Sequence, residues 1–127
     1  TRSGHTIIND SYNANPTSTV AAIEYLKSMR DKKIFVFGDM KELGDNSSEM
    51  HAFIGEKAKN MGIDYLYAVG EMTKYTVKQF GDNGFWFASI DKLIANLRPM
   101  LREKKNMNIL VKGSRSMRME RVVSQIV

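Results

Sequence analysis

The run Asp10-Ser11-Tyr12-Asn13-Ala14-Asn15-Pro16 puts an acid, an aromatic ring and two carboxamides into one turn, directly after the apolar pair Ile7-Ile8. Asp10 can accept hydrogen bonds from ribose hydroxyls, Tyr12 can lie against a base or a sugar, and Asn13 can pair with a polar edge. The competing reading is a hydrogen-bonded turn that only braces the start of a helix. For Asn15 that reading is preferred, as the cap ahead of Pro16 at the first helical position.

A second group is Lys112-Gly113-Ser114-Arg115, which joins an apolar strand to a helix expected to begin near Ser116. Backbone N–H groups at such a start, with Lys112 and Arg115 beside them, suit an anion; a carboxylate and a phosphate both fit. The segment is not a P-loop, which needs Gly-x-x-x-x-Gly-Lys-Ser/Thr, and neither that string nor Gly-x-Gly-x-x-Gly occurs in the chain. A domain that touches a nucleotide yet cannot cradle its triphosphate needs a partner domain to do so.

Other candidates carry less. Asp39, at the end of a strand, suits a ligand or a metal-bound water as well as it suits bracing a loop. His5 and His51 lie far apart without ligand spacing, and a structural or solvent-facing role is favoured for His51. Glu42, Asp45 and Glu49 make no recognised metal pattern. No metal site is expected, and the nine Met residues read as core filler on helical faces.

The elements that must position these groups alternate. Strands are expected at residues 6–9, 34–37, 65–69, 85–87 and 108–111, and helices at 16–30, from about 50 to 61, 73–80, 90–102 and from 116 onward. Met50, Phe53, Ile54, Ala58 and Met61 mark the apolar face of the second helix, Asn46 with Glu49 resembles a capping box, and Gly62 ends it. This alternation implies an α/β, Rossmann-like open sheet, mostly parallel, with helices on both faces. The polar residues after its strands then converge on one edge, where such sheets bind ligands.

At 127 residues and without cysteine, the chain suits one domain and excludes disulfides and thiolate metal sites. No apolar run approaches a membrane span, Thr1-Arg2-Ser3-Gly4-His5 lacks the apolar stretch of a secretory signal, and a cytoplasmic setting is the default expectation. The net charge of +5 concentrates late, at Arg102, Lys104, Lys105, Lys112, Arg115, Arg118 and Arg121. Nucleic acid or a phosphorylated small molecule would answer such a face, although Arg102, Lys104 and Lys105 read more simply as solvated helix surface.

Three strings match a known family: residues 8–18, then Gly38-Asp39-Met40-Lys41-Glu42-Leu43-Gly44, then residues 110–120, with His51 and Ile54-Gly55 as a weaker fourth. On them the whole chain, residues 1–127, resembles the C-terminal domain of the Mur ligase family. The resemblance implies one domain of a three-domain, ATP-dependent, peptide-bond-forming ligase of peptidoglycan precursor synthesis, inactive alone. In that scheme the carboxylate of UDP-N-acetylmuramoyl-tripeptide is activated as an acyl phosphate and attacked by the amine of D-alanyl-D-alanine, with Mg2+ balancing the phosphate charge. The P-loop and metal ligands belong to the central domain and the nucleotide sugar to the N-terminal domain, both absent from this chain.

This chain would be the closing lid, with no catalytic residue of its own. Asp10 matches the acid at the ATP ribose, with Tyr12 and Asn13 beside the nucleotide; Lys112, Ser114 and Arg115 fall near the incoming amino substrate; Asn15, Asp39 and His51 are further candidates. The family's arginine near the γ-phosphate has no counterpart, since Arg2 is out of register, and the expectation is a piece cut just inside the domain. Two other classes remain for comparison. A receiver-like signalling domain shares the layout, but its strand-end Asp is missing from Ala68-Val69-Gly70. A basic nucleic-acid-binding module would bind unrelated oligonucleotides in a salt-sensitive way, whereas the ligase reading expects no nucleic acid.

Overall fold

Five short apolar segments, each followed by a helix, leave the chain little choice but a parallel sheet covered on both faces. The computed structural model describes residues 4–127, so Arg2 lies outside the described residues. The elements are β1 (Thr6–Asp10), α1 (Pro16–Lys27), β2 (Lys33–Gly38), α2 (Ser47–Asn60), β3 (Tyr65–Val69), α3 (Thr73–Phe80), β4 (Gly84–Phe87), α4 (Ile90–Glu103), β5 (Asn108–Lys112) and α5 (Glu120–Ile126). The strand order is β1-β5-β2-β3-β4 and every pairing is parallel. The expected α/β, Rossmann-like sheet is therefore present.

Alternation along the central strands divides the core into two layers. Phe35 and Phe37 of β2 face Ile23, Leu26, Ile54 and Phe80, the layer under α1, α2 and α3. Ile34 and Val36 face Leu93, Leu97 and Val122, the layer under α4 and α5. Burial on both sides is why β2 and β5 read as unbroken apolar runs. Met40, Met107 and Met119 are buried in the core as gap-filling thioethers, although all three lie in connections and not on the helical faces expected.

Insertion of β5 between β1 and β2 decides where chemistry can occur. It sets the carboxyl ends of three strands side by side: Asp10 pairs with Lys112 in register, and Lys112 pairs with Phe37, one residue before Gly38. The loops after these strands thus open on one edge.

Several boundaries differ from expectation. Helix α1 stops at Lys27 because the Ser28 hydroxyl donates to the Tyr25 carbonyl and the chain turns through Asp31 at φ 71°. The Asn46–Glu49 box does not form: a 3-10 turn at Gly44–Asn46 runs straight into α2, so Asn46 lacks the extended backbone a cap needs, and its side chain makes no cap bond. The buried face of α2 is His51, Ile54, Gly55 and Ala58, while Phe53 is exposed.

Gly55 lets α2 and α3 touch, since a Cβ there would collide with the Thr76 carbonyl oxygen, a backbone atom that cannot yield cheaply. Gly55→Ala is predicted to destabilise the fold by about 1–3 kcal/mol, the usual cost of overpacking. Urea unfolding measures this; an unchanged midpoint would show that α2 and α3 are not locked at this contact.

Candidate functional site

The edge where β1, β5 and β2 end is built in two tiers. In the lower tier, the Lys112 side chain is only 2% exposed and its Nζ donates to Asp10 Oδ2 at 2.8 Å and to the Asn13 carbonyl at 2.9 Å. The in-register pairing of β1 with β5 brings the two side chains together, and the bond to Asn13 folds the following loop back over the strand end. The Asp10 side chain keeps 43% of its surface in solvent, so the carboxylate is anchored on one side and open on the other.

In the upper tier, Tyr12 stands out from the surface, 70% exposed. The Arg115 guanidinium lies 5.0 Å from its ring centroid, and Nη1 donates to the phenol oxygen at 3.2 Å. An exposed cation–π contact of this kind contributes about 0.5–1 kcal/mol, little enough for a ligand to displace. Asn13 is exposed, and its Oδ1 accepts the Ala14 N–H, which leaves the amide nitrogen as its donor.

The rest of the edge is scaffold. Asn15 caps α1 by accepting the Ser18 N–H at 2.8 Å, while the Asn15 N–H donates to the Ser18 hydroxyl, a reciprocal box followed by Pro16. Ser114 is buried; its N–H donates to the Asp39 carbonyl and its hydroxyl accepts the Lys41 N–H. The Asp39 side chain is also buried, and Oδ1 accepts the Met72 and Thr73 N–H groups at the start of α3, both at 3.0 Å. Its Oδ2 accepts no hydrogen bond and lies 3.7 Å from Lys41 Nζ. Among the described residues, no cluster of three or more acidic or histidine side chains is placed to hold a metal.

His51 is fully buried. Its Nε2 accepts the Met40 N–H at 2.9 Å, so the proton sits on Nδ1, which donates to the Ser47 carbonyl at 2.7 Å. The ring is a neutral tie between α2 and the loop after β2. Burial pushes its pKa down, partly countered by the Ser47 bond and the Asp39 charge.

Two expectations change here. Lys112 does not stand free as an anion site requires, because its buried ammonium already donates to Asp10 and to the Asn13 carbonyl. The helix start at Ser116 is not formed either: Arg115–Met117 is a 3-10 turn, Arg118 takes a left-handed φ of 53°, and α5 begins only at Glu120. The N–H groups of Ser114, Met117 and Arg118 are used on the carbonyls of Asp39, Ser114 and Arg115. The cause lies one layer down. Met119 tucks beneath the strand ends, where a Cβ on Gly38 or on Gly113 would come within 2.7 Å of its side chain. Nothing in the sequence pattern signals that Ser114 and Asp39 clamp each other; the nearest hint is the glycine beside each.

The solvent-facing groups left for a ligand are thus the open side of Asp10, the Tyr12 ring, the Asn13 amide and the Arg115 guanidinium. Together they offer an acceptor for hydroxyls, an aromatic face, a polar donor and a cation.

Comparison with known proteins follows the same lines. Residues 1–115 match the family described as "Mur ligase, glutamate ligase domain". The UDP-N-acetylmuramoyl-tripeptide–D-alanyl-D-alanine ligase of Buchnera aphidicola subsp. Acyrthosiphon pisum is 41% identical over 121 residues, covering 95% of this chain and 26% of that protein. The ligase of the same name from Escherichia coli is 41% identical over 117 residues, covering 92% and 26%. The chain therefore spans about a quarter of the length of these relatives. Among solved structures, MurF from Acinetobacter baumannii superposes with a TM-score of 0.91 at 30% identity, covering 99% of this chain and 29% of that one. MurF ligase from Thermotoga maritima, solved in complex with ADP, gives 0.84 at 30% identity, covering 97% and 28%.

Two predictions follow from the tiers. Lys112→Met is expected to cost about 1.5–3 kcal/mol, the range for a charge-assisted hydrogen bond, because the freed Asp10 can be hydrated. Asp10→Ala is expected to cost more, since it strands a buried ammonium. Equal losses in denaturant unfolding would contradict this asymmetry. For His51, above its ordinary pKa of 6.5 the ring is neutral folded and unfolded, and its contribution is complete. Below that pH the unfolded chain takes up a proton that the folded ring resists, so stability falls as pH drops toward the depressed folded value. Thermal midpoints between about pH 7.5 and about pH 5.5 should fall more steeply for the native chain than for His51→Gln; parallel curves would remove His51 as a cause.

Proposed function

The chain belongs to the Mur ligase family, whose C-terminal domain it matches, and from that premise we propose that it is the closing domain of a D-alanyl-D-alanine-adding ligase of peptidoglycan precursor synthesis. The observation that carries the reading is the Asp10 carboxylate, held by the buried Lys112 on one side and open on the other, beside an exposed ring.

Asp10 accepts hydrogen bonds from the ribose hydroxyls of ATP, with Tyr12 against the base or sugar and Asn13 donating to a polar edge. Because Lys112 fixes the carboxylate before the ligand arrives, little rotamer entropy is lost on contact. Arg115 lies at the same edge, where it suits the carboxylate of D-alanyl-D-alanine. Lys112 and Ser114 act beneath that position by holding the loops in place. Asn15, Asp39 and His51 serve the scaffold.

ATP, when bound, supplies the phosphoryl group that activates the substrate carboxylate. Its phosphates and Mg2+ would be held by a central domain, and UDP-N-acetylmuramoyl-tripeptide by an N-terminal one. Closure of the present domain brings Asp10 and Tyr12 onto the nucleotide and shields the site from water, the usual gain from a lid. The setting expected for such a step is the cytoplasm. The described residues include no helix long and apolar enough to cross a membrane.

In the complete ligase, Asp10→Ala is predicted to raise the KM for ATP by about tenfold or more, the equivalent of one lost charge-assisted hydrogen bond. Asp10→Asn, which keeps an acceptor for Lys112, separates loss of the ribose contact from loss of fold. Steady-state kinetics with ATP varied reads both; unchanged ATP kinetics in a folded Asp10→Ala enzyme would remove Asp10 from the nucleotide site.

A further inference from the structure

The two side chains best placed to meet ligands are spent on each other. The Tyr12 ring carries the Arg115 guanidinium 5.0 Å from its centroid, with the Nη1 bond to the phenol oxygen at 3.2 Å, and among the described residues Arg115 makes no ion pair. A cation over the ring covers a face that a base would stack on. A guanidinium whose Nη1 donates to a phenol has one N–H fewer to offer a carboxylate. The contact also spans the two loops, from the β1 end to the β5 end.

From this we propose that Tyr12 and Arg115 form an exchangeable pair: a purine base takes the place of the guanidinium on the Tyr12 ring, and the freed Arg115 becomes available to the carboxylate of the second substrate. The inference rests on the nucleotide reading given above and adds a coupling between the two ligands within it. The magnitudes favour exchange in this direction. Base-on-aromatic stacking exceeds an exposed cation–π contact, so the base wins the ring. Released guanidinium regains its full set of donors and meets a carboxylate in the bidentate geometry that lysine cannot supply. The lower tier keeps its bonds throughout, since neither the Lys112 bond to Asp10 nor the one to the Asn13 carbonyl takes part.

The test uses this chain and adenosine, a neutral nucleoside, so that loss of a positive charge cannot weaken binding through a phosphate. Adenosine affinity is read from NMR shifts of the residues around Tyr12, in the native chain, Arg115→Ala and Tyr12→Ala. Both positions are exposed, and melting curves check that the variants fold. Removing the competitor should tighten adenosine binding about three- to sixfold in Arg115→Ala, the population of the closed pair implied by an exposed cation–π contact. The Arg115 Nε–H resonance of the native chain should shift as adenosine is added. Unchanged or weaker binding in Arg115→Ala, with binding lost in Tyr12→Ala, overturns the exchange while sparing the nucleotide reading. An unmoved Arg115 resonance likewise overturns the exchange. Adenosine binding that is absent from the native chain and Arg115→Ala overturns the exchange, because the base then does not displace the guanidinium; binding unaffected by Tyr12→Ala overturns both.

Discussion

A lysine whose side chain is almost wholly enclosed must have its ammonium satisfied, and at Lys112 this requirement organises the functional edge. Its two partners are the Asp10 carboxylate at the end of the neighbouring strand and the Asn13 carbonyl on the loop that follows it. Meeting the demand of one buried charge therefore fixes the end of β1, the turn that follows it and the direction in which Asp10 presents its free side. The pair also explains why β5 must lie beside β1: only that neighbour, in that register, brings residues 10 and 112 together.

Around this pair the structure separates what must stay from what can move. Below it, Met119 fills the space left by Gly38 and Gly113, Asp39 ties the end of β2 to the start of α3, and His51 ties the same loop to α2. Packing at Met119 and hydrogen bonds at Asp39 and His51 together hold the strand ends in place. Above it, the contacts between Tyr12 and Arg115 are exposed and weak. A lid domain needs both properties: a preformed anchor that meets the nucleotide without rearranging, and surface groups that can change partner as the site closes.

Much of this was legible in the sequence. The unbroken run Ile34-Phe35-Val36-Phe37 demands a strand buried on both faces, and Asn15-Pro16 demands a helix start; both are found. The over-furnished turn from Asp10 to Asn15 pointed to the edge that carries the exposed acid and ring. What the sequence could not convey is which polar residue is spent on another. Lys112 follows Ile109, Leu110 and Val111 and looks like the first residue of a solvated loop, but β5 is an interior strand and the register keeps its last side chain inside. The helix start after Ser114 was misplaced for a similar reason: the length of the 3-10 turn is set by how Met119 reaches the core, a tertiary demand with no local signature. The Asn46–Glu49 spacing was a correct pattern in a backbone that does not adopt the conformation the pattern needs.

In the proposed ligase Asp10 would serve both a buried lysine and a ribose. The most direct measurement is a crystal structure of the complete ligase, closed on a non-hydrolysable ATP analogue. It is predicted to retain the bond between Lys112 Nζ and Asp10 Oδ2 while the other carboxylate oxygen accepts from a ribose hydroxyl. A closed complex in which the ribose lies away from Asp10, or in which Asp10 leaves Lys112 to reach it, would contradict the account.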